Sequence, residues 1–219
     1  MESYMNRISN TGIVPVVKIL EKEDAYPLAK ALLNGGIDVI EVTYRSEHAT
    51  SAIQTISEQL PDMLVGAGTV LSVEQAKEAV EAGAKFIITP GFNTKVVQWC
   101  LDHDVEVYPG VSTASEVEMA LSMGLTQLKF FPAESSGGAK KLKDLSAPYA
   151  NVHFMPTGGI NTKNMHDYLS LPNVEAIGGS FMLPNDLVVA KDWDGIEALS
   201  KAAIKSLLDF QLIHVGINT

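Results

Sequence analysis

The chain has 219 residues, 46% of them apolar and 19% charged, and its 26 acidic and 16 basic side chains give a net charge of −10. This composition supports one sizeable core, is too short for two comfortable domains, and excludes a disordered chain. The acidic surplus speaks against a nucleic-acid or anionic-membrane binder, but leaves room for a local cationic pocket that takes an anionic substrate.

Residues 1–12 read as a short lead-in. Met1–Arg7 lacks the apolar stretch of a signal peptide, and no run approaches the ~18 apolar residues of a membrane span. A soluble, cytoplasmic, single-domain protein spanning residues 1–219 is therefore expected.

From there, short apolar or β-branched runs alternate with longer amphipathic stretches. The strand-like runs are Ile13–Ile19, Val39–Thr43, Met63–Ala67, Lys85–Thr89, Val105–Tyr108, Gln127–Phe131, His153–Met155 and Ala176–Ile177. Most stop at glycine or proline. Between them, Ala25–Leu33 carries a helical apolar stripe that stops at Gly35-Gly36. Val73–Val80 follows Ser72, a plausible N-cap with Gln75 three residues on. Glu116–Met123 follows Ser112 and Thr113 and closes at Gly124. Met119 and Met123, four residues apart, read as core packing. Gln98–Leu101 reads as a buried helix face, which makes the single cysteine, Cys100, a core thiol rather than a nucleophile and fits a reducing compartment. A last helix runs roughly from Gly195 to Phe210, and the tail Gln211–Thr219 is either a cover for the bottom of the fold or part of a subunit contact.

The strand ends lie 19 to 26 residues apart. Eight β-then-α units of similar size predict a parallel sheet closed on itself, a (β/α)₈ barrel. An open doubly wound sheet is the weaker alternative, because no glycine-rich dinucleotide fingerprint follows the first strand.

A barrel directs chemistry to the C-terminal ends of its strands. On the second strand Glu41, Thr43 and Arg45 share one face by period two, where a parallel strand covered on both sides should be apolar. An internal Glu41–Arg45 ion pair is one explanation, at a desolvation cost of several kcal/mol per ion. On the sixth strand Lys129 is flanked by Leu128, Phe130 and Phe131, an environment that disfavours the ammonium and suits a Schiff-base nucleophile. The competing readings are a lysine that snorkels outward and one that pairs with Glu41. Thr157-Gly158-Gly159 and Gly178-Gly179-Ser180 follow the seventh and eighth strands, where barrels often hold phosphate, although glycine pairs are also ordinary turns. Thr162–Met165 begins a helix after the first pair. Lys18, Thr69 and Thr89-Pro90 also sit at strand ends. The five histidines lie away from these positions, and no His/Asp/Glu set has metal-ligand spacing.

Glu41-Val42-Thr43-Tyr44-Arg45, Gly66-Ala67-Gly68-Thr69-Val70, Thr89-Pro90-Gly91, Tyr108–Thr113, Lys129-Phe130-Phe131-Pro132-Ala133-Glu134, Pro156–Ile160 and Gly178-Gly179-Ser180 occur in this order. The chain resembles the KHG/KDPG aldolase family, class I lyases that split 2-keto-3-deoxy-6-phosphogluconate or 4-hydroxy-2-oxoglutarate. The resemblance runs from Gly12 to the last helix. It implies a (β/α)₈ barrel assembled as a homotrimer, with no metal or other cofactor and a phosphorylated small 2-keto acid as substrate. It also implies that Lys129 forms the Schiff base and Glu41 is the general acid/base. Arg45 and Thr69 then hold the carboxylate end, Pro90 and Phe131 line the pyruvyl pocket, and Thr157 contacts the substrate. Gly158, Gly159, Gly179 and Ser180 hold the phosphate. Tyr44 stands where many members carry leucine and should face outward. Lys18 stands where members differ, which leaves sugar specificity open.

The reaction expected is a reversible retro-aldol cleavage yielding pyruvate and an aldehyde, glyceraldehyde 3-phosphate or glyoxylate. Cleavage of the phosphogalactonate analogue would use the same residues. A metal- or carboxylate-dependent phosphosugar isomerase or epimerase on the same barrel, and a non-catalytic sugar-phosphate binder, are the alternatives from other classes.

Overall fold

Strand and helix alternate along the whole of residues 4–208, the part that the computed structural model describes. The strands are β1 Ile13–Val17, β2 Val39–Thr43, β3 Leu64–Gly68, β4 Phe86–Ile88, β5 Glu106–Tyr108, β6 Gly110–Val111, β7 Gln127–Phe130, β8 His153–Pro156 and β9 Ile177–Gly179. The helices are α1 Tyr4–Thr11, α2 Ala25–Asn34, α3 Ala49–Gln59, α4 Val73–Glu81, α5 Thr94–Asp102, α6 Ala114–Ser122, α7 Gly138–Ser146, α8 Met165–Leu169, α9 Asn185–Ala190 and α10 Trp193–Leu207. Every run expected to be a strand is one, and most ends move by only a residue or two.

All strand pairs are parallel. Six form one curled sheet in the order β5-β4-β3-β2-β1-β9, and three form another in the order β6-β7-β8. The fifth expected run, Val105–Tyr108, is β5, and beyond Pro109, which has no N–H to donate to a ladder, the chain adds β6, a short strand not expected from the sequence, in the other sheet. β5 pairs with β4 below the proline, and β6 pairs with β7 above it. Isolated bridges join Phe154 to Val174 and Thr157 to Gly178, between the neighbourhoods of β8 and β9.

Period two sorts the strand side chains into two layers. Ile40 and Val42 of β2, Ile87 of β4, Val107 of β5, and Leu128 and Phe130 of β7 pack outward against the helices. Val14, Val39, Leu64, Phe86, Ile88, Tyr108 and Met155 fill the concave side. Leu128 and Phe130, expected to flank the Lys129 amine, therefore take the face opposite to it.

The lead-in proves to be a helix. Met5 and Ile8 of α1 are buried in the inner cluster, so α1 closes the N-terminal end of the sheet. Arg7 Nε is 2.8 Å from Asp38 Oδ2, and Ser9 Oγ donates to Glu175 Oε2 at 2.9 Å, fastening α1 to the starts of β2 and β9. Its apolar positions are too few to stand out without knowing what they cover. α10 starts two residues before the expected Gly195. The expected end at Phe210 and the tail Gln211–Thr219 lie outside the described residues.

The helix starts follow the expected capping chemistry. Ser72 accepts from Gln75 N at 3.2 Å, and Thr113 and Glu116 form a capping box at the start of α6. Thr162–Asn164 is a turn, and α8 itself begins at Met165. Met119 is an exception to the expected packing: it is exposed, because α6 buries Val117 and Ala120 instead.

Candidate active site

On the inner face of β2 the polar side chains begin only toward its C-terminal end. Val39 is core; two residues on, Glu41 is fully buried, and Thr43 follows it. On β7 the same alternation turns Lys129 inward. Lys129 Nζ lies 3.3 Å from Glu41 Oε1, with side-chain exposures of 5% and 0%. The ammonium is also 5.2 Å from the centre of the Phe131 ring. Of the readings left open above, the Glu41–Arg45 ion pair does not form and Lys129 does not snorkel; Lys129 and Glu41 pair with each other.

This pair is unusual for a core. Glu41 Oε2 is buried and makes no hydrogen bond with any described residue. A buried, unpaired carboxylate oxygen costs about 1–3 kcal/mol or more, and truncating one partner of a buried ion pair costs about 3–5 kcal/mol. Neither feature serves a fold selected for stability alone.

Room for the carboxylate comes from β3. A Cβ on Gly68 would sit 1.9 Å from Glu41 Oε1. Gly68→Ala should therefore displace the acid. The expected result is a loss of about 1–3 kcal/mol in a denaturant titration and a roughly 10²-fold lower turnover.

Around this centre the strand ends form a rim. Thr43 Oγ1 donates to Val17 O at 2.8 Å and accepts from Arg45 Nε at 3.2 Å, so a buried hydroxyl anchors an exposed guanidinium. Arg45, Lys18 and Ser180 line one cleft of about 210 Å³ together with Asn185. Pro90 and Thr89 line another hollow beside Val70. The Thr89 hydroxyl donates to Gly91 O at 2.7 Å and shapes that turn. Thr69 adopts φ 55°, a left-handed backbone that a β-branched residue rarely takes, at the exit of β3.

The glycine loops fall where the sequence placed them. Ala133 N donates to Thr157 O at 2.8 Å and Glu134 N to Gly158 O at 3.1 Å, zipping the loop after β7 onto the loop after β8. Thr157 is buried against Gly178, where a Cβ would lie 2.2 Å from its Oγ1. Gly158 borders Phe131. Gly179 ends β9, and Ser180 is exposed beyond it. Thus Lys129, Glu41 and Phe131 form the centre, while Lys18, Arg45, Thr69, Pro90, Thr157, Gly158, Gly159, Gly179 and Ser180 all lie at the same end of the strands.

Other candidates are accounted for elsewhere. Cys100 is buried, and burial pushes its thiol pKa up to about 12, so it is not a thiolate. His48 starts α3, His103 stacks on Trp99, His153 pairs with Glu175 and His166 meets Ser206 O. His214 lies outside the described residues. Among the described residues, no group of three or more His, Cys, Asp or Glu could hold a metal ion. No helix there is long and apolar enough to cross a membrane. A hollow of about 480 Å³ opens at the opposite end, beside Tyr4, Glu106 and Gln127. It is a gap between the N-terminal ends of β5 and β7, and its carboxylate is already engaged by Tyr108 Oη at 2.6 Å and Tyr4 N at 2.9 Å.

Two features escaped the sequence reading. Thr43 was visible as a polar residue on the right face, but its part in anchoring Arg45 was not. The Tyr168 hydroxyl on α8 donates to Glu134 Oε1 beneath Gly159, and nothing in the sequence ties a helix tyrosine to that loop.

Comparison with known proteins agrees with this geometry. The family model for KDPG and KHG aldolases matches residues 4–199. The 2-dehydro-3-deoxy-phosphogluconate aldolase of Treponema pallidum is 44% identical over 205 residues, 94% of this chain and 98% of the relative. The KHG/KDPG aldolase of Escherichia coli is 44% identical over 199 residues, 90% and 93% of the two chains. A crystal structure of KDPG aldolase from Legionella pneumophila, with pyruvate captured as a covalent carbinolamine, superposes with a TM-score of 0.89 at 40% identity, covering 93% of this chain and 99% of that one. The chain belongs to the KDPG and KHG aldolase family.

Proposed function

We propose that the protein is a class I aldolase that reversibly splits a 2-keto-4-hydroxy acid: 2-keto-3-deoxy-6-phosphogluconate to pyruvate and glyceraldehyde 3-phosphate, 4-hydroxy-2-oxoglutarate to pyruvate and glyoxylate, or both. The observation that carries this reading is the buried Lys129–Glu41 pair, 3.3 Å apart, with one carboxylate oxygen left over.

The pair supplies both functions the reaction needs. Lys129 passes a proton to Glu41 and, as the free amine, attacks the C2 ketone to give a carbinolamine. Loss of water, with the proton returned through Glu41, leaves a protonated imine. That cation draws electrons from the C3–C4 bond as Glu41, directly or through a water, takes the C4 hydroxyl proton. The aldehyde leaves. The enamine is protonated at C3, and water hydrolyses the imine to pyruvate and regenerates the amine. Phe131 beside the ammonium, together with Pro90, lines the pyruvyl pocket and keeps bulk water from the imine.

The rim holds the rest of the substrate. Arg45, steadied by Thr43, grips the carboxylate in two-pronged fashion with Thr69 beside it. Gly158, Gly159, Gly179 and Ser180 offer backbone N–H groups and a hydroxyl to the phosphate, Thr157 contacts the substrate between them, and Lys18 adds a cation in the cleft it shares with Arg45 and Ser180. Arg45→Lys should raise the KM for the keto acid about tenfold and leave kcat within a few-fold, because an ammonium cannot reproduce the fork. An unchanged KM would remove Arg45 from the carboxylate site.

The same reading includes a closed (β/α)₈ barrel. The continuity of β5 and β6 through Pro109 and the bridges Phe154–Val174 and Thr157–Gly178 support closure at the two seams. It also includes a homotrimer in the cytoplasm, which sedimentation at working concentration tests for the assembly. The decisive experiment is borohydride reduction in the presence of pyruvate. It should add a reduced pyruvyl group to Lys129, whereas labelling at Lys18 would reassign the nucleophile.

A further inference from the structure

The loop expected to receive the phosphate has a carboxylate beside it. A Cβ on Gly159 would lie 2.7 Å from Glu134 Cγ and 2.8 Å from its Cβ, so the methylenes of Glu134 pack directly on that glycine. A free carboxylate at this position would repel a dianionic phosphate. It is not free: Tyr168 Oη donates to Glu134 Oε1. Tyr168 itself is fully buried on α8. Burial, reinforced by Glu134, raises the pKa of its phenol above the ordinary value, so it remains a proton donor throughout the working pH range.

The remaining contacts fix the backbone of the same turn. Gly158 and Gly159 have φ of 105° and 82°, accessible to glycine without strain. The Gly159 carbonyl accepts from Asn161 Nδ2 at 3.3 Å and from Asn164 Nδ2 at 3.1 Å. Glu134 N donates to Gly158 O at 3.1 Å. The turn is thus held by neutral amides, and the anionic side chain of Glu134 that packs on it is held by a phenol.

We propose that the Tyr168–Glu134 hydrogen bond is a positioning device for the substrate's terminal phosphate, holding the Glu134 carboxylate away from the Gly158–Gly159 turn while its methylenes support that turn. Neither residue touches the reacting atoms. The proposal rests on the aldolase reading and on placing the phosphate at this loop.

The test compares two substrates that share the chemistry and differ in the phosphate. In Tyr168→Phe the carboxylate is released, and KM for 2-keto-3-deoxy-6-phosphogluconate should rise about three- to tenfold with kcat nearly unchanged. KM for 4-hydroxy-2-oxoglutarate, which has no phosphate, should stay at the wild-type value. Adding Glu134→Gln to Tyr168→Phe removes the charge at constant shape and should restore most of the lost affinity. An equal rise in KM for both substrates, no rise in either, or no rescue by the second substitution would each overturn the proposal. If Tyr168→Phe does not fold, Glu134→Asp provides the second variant. Its shortened side chain cannot keep both contacts, and it should show the same KM split between substrates. Failure of the wild-type enzyme to cleave either acid would refute the aldolase reading itself, an outcome distinct from a uniform response of the variants.

Discussion

Lys129→Met should abolish the borohydride-trapped pyruvyl adduct and lower kcat/KM by roughly 10⁴ or more, the scale on which loss of a covalent nucleophile is felt. Methionine fills most of the lysine volume, so neither a cavity nor a rearranged strand explains the loss. The substitution has a second consequence that identifies the pair. Glu41 is then buried at 0% exposure with no cation opposite it, and stability should fall by about 3–5 kcal/mol in a denaturant titration. That is a large part of the 5–15 kcal/mol typical of a domain. Lys129→Met/Glu41→Gln removes the stranded charge and should regain part of the stability while recovering none of the activity. The two readouts separate a dead enzyme from an unfolded one. A Lys129→Met protein that still traps pyruvate would place the nucleophile elsewhere, with Lys18 the first residue to map.

The residues of this centre were legible in the sequence because parallel strands impose a strict rule. Val39-Ile40-Glu41-Val42-Thr43 violates the all-apolar expectation at alternate positions, and Lys129 interrupts an apolar run in the same way. Glycine and proline marked the strand ends closely enough to give the repeat, and the repeat gave the end of the sheet at which to look. What alternation cannot supply is the partner across the fold. Lys129 and Glu41 are 88 positions apart, and only the curl of the sheet brings them together. For the same reason, Leu128 and Phe130 misled as neighbours of the amine: adjacent in sequence, they point to the opposite layer. Helix α1 was missed because its Met5 and Ile8 have meaning only against the inner layer of the sheet, including Val39 and Leu64, which lie far along the chain. The clasp between Tyr168 and Glu134 spans 34 positions and joins two elements of ordinary composition. The left-handed Thr69 carries no local mark either, since threonine is not a residue chosen for that backbone.

Glu41→Gln isolates the proton-transfer half of the mechanism. The amide is nearly isosteric, so the space opened by Gly68 remains filled and Lys129 keeps an oxygen to donate to. Imine formation with pyruvate should therefore remain measurable by reduction, while turnover falls by roughly 10² or more, the usual contribution of a positioned general base. A second readout follows from the same role. The enamine and imine interconvert by moving a proton at C3, and if Glu41 carries that proton, exchange of the pyruvate methyl hydrogens with deuterated solvent should slow along with cleavage. The combination matters more than either number. Slow cleavage with normal exchange would confine Glu41 to the C4 hydroxyl and require another carrier at C3. Normal values of both would leave Glu41 as no more than a counter-charge for the resting ammonium, and its unpaired second oxygen would then lack the catalytic role that the buried geometry implies.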